Sequence, residues 1–163
     1  VSLEAVYDTI RTPFTVDVTT GDVITPRPIW YKFHGLLDEK VEFEVLAYNI
    51  ETVFAEKFET ILRRGPLSTR PRDFYDVYIL FQTQKYDAKI FCDAFWATAS
   101  HRNSDSLFKN IPEILERIRE SLELQSTWLR YRKEYTYAAD IEYSSIMKVL
   151  ETLAEQTIDC EVL

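Results

Sequence analysis

Residues 48–80 read YNIETVFAEKFETILRRGPLSTRPRDFYDVYIL, and this stretch decides the fold class. Ile50, Val53, Phe54, Phe58 and Ile61 recur at the three-and-four spacing that lines one face of a helix. Asn49 stands where a helix N-cap belongs, and Gly65-Pro66 where a helix stops. Pro71 suits the first turn of a second helix, whose inner face Phe74, Val77, Tyr78 and Phe81 mark.

Upstream the period is two rather than 3.6. Phe14, Val16 and Val18 alternate with Thr15, Asp17 and Thr19, and Thr20-Gly21-Asp22 supplies a turn. Ile29, Tyr31 and Phe33 alternate with Trp30, Lys32 and His34. Val41, Phe43 and Val45 alternate with Glu42 and Glu44, and residues 35–40 connect the two runs. Three strands in an antiparallel meander with one buried face are expected. Downstream, a third helix is expected over residues 88–100. A fourth starts near Pro112 and carries Leu115, Ile118 and Leu122. A last one over residues 141–157 carries Ile146, Leu150 and Leu153. The fold class is α+β, a small, mainly antiparallel sheet followed by a C-terminal helical bundle.

Composition narrows the function classes. The 163 residues are 46% hydrophobic and 28% charged, which is a globular balance. A net charge of −8 argues against coating a nucleic-acid backbone, so any such contact is local. Three glycines leave no phosphate-cradling loop of the dinucleotide or P-loop kind. Cys92 and Cys160, with His34 and His101, have no zinc-ligand spacing and read as reduced, partly buried thiols. No apolar run approaches the ~20 residues that cross a bilayer, and no secretory leader is visible, so a cytoplasmic location is expected.

Several residues break their local pattern. Lys57 lies on the inward stripe of the first helix. Either its stem follows the apolar face while the ammonium reaches water, or the charge is aimed at a phosphate. Asp17 lies mid-strand between valines, either as an outer-face residue or as a carboxylate presented to a metal or proton-transfer site. Asp73 and Asp76 share a helix face. Asp73 suits the helix dipole in the first turn, and Asp76 can pair with Arg72 four residues before it. Lys57, Arg63, Arg64, Arg70 and Arg72 form a basic cluster opposed only by Glu59 in that span. It is either a solvated face or a surface for a triphosphate or an RNA backbone. Phe74, Tyr75 and Tyr78 beside it fit a core better than a base-stacking platform. Arg117, Arg119, Arg130, Arg132 and Lys133 read as solvated helix faces.

The segment ETVFAEK (51–57), the RG stop (64–65) and RPRDFYD (70–76) opening the next helix resemble, in that order, a signature of the AbiEii nucleotidyltransferase toxin family. FTVDVTTGD (14–22) is similar to that family's strand motif, a carboxylate ahead of a small turn. The resemblance spans residues 14–80. It implies a polymerase-β-like nucleotidyltransferase core, with residues 1–48 the remainder of its sheet, and a helical C-terminal domain over residues 49–163. It also implies a toxin of toxin–antitoxin and phage-defence systems. Such a toxin binds a nucleoside triphosphate with Mg2+ and transfers a nucleotide to a target, in some relatives the 3′ end of tRNA.

On that likeness Asp17 is the strand carboxylate and metal ligand, and Lys57 faces the triphosphate. Asp73 is the essential acid of the last motif, with Asp76 close by. Arg63, Arg64, Arg70 and Arg72 join Lys57 in holding phosphate. The fold's main metal motif is a Gly-Ser turn followed by Asp-x-Asp or Asp-x-Glu. It is not found in the sixteen residues before Asp17, and the chain begins at Val1. The expectation is therefore the C-terminal part of a longer enzyme, inactive or nearly so by itself. The alternative is a non-catalytic module that docks an antitoxin or another protein.

Overall fold

The computed structural model describes residues 1–18, 20–38 and 40–161. Four strands come first: β1 (Ser2–Tyr7), β2 (Ile10–Thr15), β3 (Ile29–His34) and β4 (Glu42–Ala47). Six α-helices follow: α1 (Ile50–Arg64), α2 (Pro71–Thr83), α3 (Ala88–His101), α4 (Ile111–Glu120), α5 (Leu122–Glu134) and α6 (Tyr143–Glu161). The α+β class stands, with a mainly helical second part.

The strands do not form the expected meander. Among the described residues, β1 pairs only with β2, and β3 only with β4, as two separate antiparallel hairpins. β1 alternates only over residues 2–5, polar Ser2 and Glu4 against apolar Leu3 and Ala5, before Val6 and Tyr7 break the pattern. It is defined by its pairing, Ser2 opposite Thr15 through Tyr7 opposite Ile10, across a tight reversal with Asp8 at φ 53°. β2 ends at Thr15, so Asp17 lies in the irregular segment beyond the strand rather than in its middle. Thr19 and Glu39 lie outside the described residues. The expected buried face is also absent. Every residue of β1, β2 and β3 is exposed, and only Val45 and Ala47 of β4 are partly covered.

The helices follow their punctuation. Asn49 Oδ1 accepts from the Thr52 amide at 3.0 Å, and Gly65, at φ 52°, closes α1 through its N–H to the Ile61 carbonyl. The same Asn49 donates from Nδ2 to the Thr25 carbonyl at 2.5 Å, while Tyr48 donates to Asp22 Oδ2 at 2.7 Å. The segment before β3 is thereby tied to the head of α1. Asp87 caps α3 by accepting from the Lys89 and Ile90 amides.

The expected fourth helix is two helices. Ser121 ends α4 in an extended conformation, and its hydroxyl accepts from the Leu124 amide to start α5. Leu122 consequently faces solvent at 79% exposure rather than the core. The core lies among the helices: Phe54 and Phe58 of α1 meet Phe91 and Phe95 of α3, with ring centroids 5.5–6.2 Å apart. Each such burial contributes about 1.5–3 kcal/mol. α6 closes the far side against α2, α3 and α4.

Candidate functional site

α1 and α2 pack side by side, and their facing sides carry charge as well as core. Lys57 Nζ donates to Asp76 Oδ2 at 2.7 Å and lies 3.5 Å from Asp73 Oδ1. All three side chains are largely covered, at 27%, 22% and 17% exposure for Lys57, Asp76 and Asp73. Asp73 and Asp76 are three apart on α2, so both reach the same point on α1. One oxygen of Asp73, Oδ2, and Nε of Arg64 are buried without a hydrogen-bond partner among the described residues. Buried polar atoms are rarely left unpaired, so this seam has spare donor and acceptor capacity.

The basic residues divide. Arg72, 81% exposed, comes within 3.9 Å of Asp76 and stands at the rim of this cluster. Arg70 is exposed just before α2. Arg63 turns away to pair with Glu59 at 2.9 Å. Asp17 is exposed, and among the described residues it makes no ion pair or hydrogen bond with the Lys57 cluster.

A second charged group escaped the sequence reading. Glu59 is fully buried and accepts from Arg102 Nη1 at 2.6 Å, Ser104 Oγ at 2.8 Å and Arg63 Nε at 2.9 Å. Arg102 also pairs with Glu56 at 3.3 Å. Burial pushes the Glu56 carboxyl above the ordinary carboxylate range, and the charges of Asp22 and Glu59 add to the rise while Arg102 opposes it. Nearby, burial and the bond to Asp22 push the Tyr48 hydroxyl up to about 12. The local clue was Glu59 one turn after Ala55 and three residues before Leu62, both buried. Its partner Arg63 is four residues on, whereas Arg102 is 43 residues away, beyond any local pattern.

The described residues do not by themselves make a metal site. Among the described residues no group of three or more His, Cys, Asp or Glu side chains could hold a metal ion. The closest carboxylates to hand, Asp73 and Asp76, already engage an ammonium. Among the described residues, no helix is long and apolar enough to cross a membrane.

A family model described as "Nucleotidyl transferase AbiEii toxin, Type IV TA system" matches residues 1–152. No curated protein and no solved structure matches the chain.

Proposed function

We propose, from the premise that the chain belongs to the AbiEii nucleotidyl transferase toxin family, that Lys57 faces the phosphates of a nucleoside triphosphate from the α1–α2 seam. The observation that carries this reading is the ammonium of Lys57 held between Asp76 and Asp73. Two acids fix the direction of a long side chain that would otherwise sample many rotamers. Positioned charge of this kind is what in-line phosphoryl chemistry draws on.

In nucleotidyl transfer an acceptor hydroxyl oxygen bonds to the α-phosphorus, the bond to the β-phosphate breaks, and pyrophosphate leaves. The hydroxyl proton passes to a base or to water. Lys57 would neutralise charge gathering on the leaving pyrophosphate. Asp73 and Asp76 would position Lys57, and Arg72, Arg70 and Arg64 would extend the positive edge. Arg63 would join them only by leaving Glu59. Asp17 would serve a metal ion only from outside the described cluster. A divalent cation, Mg2+ in this reading, supplies further charge neutralisation when bound. Turnover by the chain alone is not expected, since Asp73 and Asp76 are engaged by Lys57 and Asp17 stands apart. An RNA acceptor such as tRNA, a role in phage defence and a cytoplasmic setting belong to the same reading.

Calorimetric titration with each nucleoside triphosphate plus magnesium tests it, with Lys57→Ala alongside. Loss of at least about tenfold in affinity, with unchanged helical circular dichroism, is expected. Equal affinity in the two proteins would remove Lys57 from the site.

A second reading, docking of an antitoxin or another protein, has the hairpins in its favour. Phe33 and Phe43 stack at 5.5 Å on a face that stays about half exposed. Tyr31→Glu with Phe43→Lys would then abolish capture of the cognate antitoxin while leaving the helices intact. Undiminished capture would count against it.

A further inference from the structure

The far side of α2 carries aromatic rings where the near side carries charge. Tyr75 lies between Asp73 and Asp76 in sequence but faces α5 and the turn after it. Its ring centroid is 4.7 Å from Tyr137 and 6.3 Å from Tyr131. Tyr135 stands 4.6 Å from Tyr131 and 5.4 Å from Tyr137. The cluster grades from buried to open: Trp128 and Tyr131 are covered, whereas Tyr135 is 36% and Tyr137 54% exposed. Tyr135 and Tyr137 thus present part of their ring faces to solvent.

The open rings are held on a fixed support. Tyr131 and Tyr137 share a hydroxyl–hydroxyl bond of 2.9 Å. The short 3-10 turn Thr136–Ala138 is anchored by buried Ala138 and by Arg132, which donates from Nε and Nη2 to the Ala139 carbonyl at 2.9 and 2.6 Å. Arg72 and Asp76 share α2 with Tyr75, three residues before it and one after, and Arg72 comes within 3.9 Å of Asp76. Asp76 in turn bonds Lys57 on the seam side.

We propose that Tyr137 and Tyr135 form a stacking platform for a nucleobase whose phosphate lies toward Arg72 and Lys57. Flat aromatic faces beside a cation are the usual surface for an unpaired base. The charge of −8 disfavours a long phosphate backbone and favours one base with its own phosphates. The two half-sites share α2, with Asp73 and Asp76 turned to Lys57 and Tyr75 turned to Tyr137. The platform rests on the phosphate-facing reading of Lys57 for its orientation, and the test separates the two.

The full chain is titrated with ATP, with ribose 5-triphosphate, which lacks the base, with hexa-adenylate, and with its abasic counterpart. The base contribution is the affinity ratio within each pair. Tyr137→Ala is expected to lower the ratio by about tenfold and Tyr137→Phe to preserve it, with ribose 5-triphosphate binding unchanged in both. A ratio lost for ATP alone assigns the platform to the base of the free nucleotide. A ratio lost for hexa-adenylate alone assigns it to the end of an acceptor strand. A ratio unmoved by Tyr137→Ala, or equal binding of base-bearing and base-less probes by the wild type, overturns the platform. So does a failure of all four probes to bind. Ribose 5-triphosphate binding that survives Lys57→Ala overturns the phosphate reading and leaves the base ratio to judge the platform.

Discussion

Lys57 and Glu59 stand two residues apart on α1, and each breaks the apolar run around it. Lys57 was legible as an anomaly because a cation on an inward stripe demands a partner. The structure supplies two, Asp73 and Asp76, which the sequence had already put on one helix face. Glu59 had one local partner, Arg63 four residues on, whereas Arg102 and Ser104 arrive from just past the end of α3. The buried acid binds α1 to that end of the bundle. Glu59→Ala takes the shortest ion pair from Arg102 and the acceptor from Ser104, and is expected to cost about 3 kcal/mol, read from urea denaturation. A loss under about 1 kcal/mol would make the network incidental.

Glu56 gives a pH signature at the same scale. Its carboxyl is raised chiefly by burial, so the folded state holds that proton better than the unfolded chain does. The stability it contributes is complete below the ordinary value of 4.5 and is lost as pH rises through the raised one. Wild-type stability relative to Glu56→Gln is expected to fall as pH climbs from about 4 to 7. A difference that is flat with pH would contradict this.

Element by element, the helices were readable from their periodicity apart from the division between α4 and α5, and some from chemical punctuation as well. Asn49, Gly65, Pro71 and Asp87 each satisfy or terminate backbone groups by local chemistry, so α1, the start of α2 and α3 follow from sequence. The α4–α5 break did not, because Leu122 continues the period of Leu115 and Ile118 while Ser121 diverts the backbone. Strand pairing was half legible. The β3–β4 hairpin places Phe33 opposite Phe43 as alternation suggests, whereas β1 is set by a partner strand and a turn at Asp8. That also explains the misplaced strand at Asp17. Asn49 does two jobs, capping α1 and holding Thr25. Asn49→Ala is expected to cost about 2 kcal/mol, roughly one for the cap and one for the lost donor. Asn49→Asp, which keeps the cap alone, should lie between in thermal denaturation. Equal losses in the two variants would assign the whole effect to the tie with Thr25.

For the whole molecule, burial is uneven. The apolar core belongs to the helices, while the two hairpins expose both faces. Two-stranded ribbons without a covered face are marginal in water. Backbone amides of β1 to β4 should therefore exchange with solvent far faster than those of α1 and α3. Protection in the hairpins equal to that of α1 would show one cooperative unit. The proposed phosphate site lies on α1 and α2, whose seam brings Lys57, Asp73 and Asp76 together.

Binding of inorganic tripolyphosphate with magnesium, compared between the wild type and Lys57→Ala by calorimetry, tests that placement most directly, because the probe has phosphate and nothing else to recognise. The account predicts saturable binding that weakens by about tenfold or more in the variant. Binding of equal strength in the two proteins would contradict it and place any phosphate site away from the α1–α2 seam.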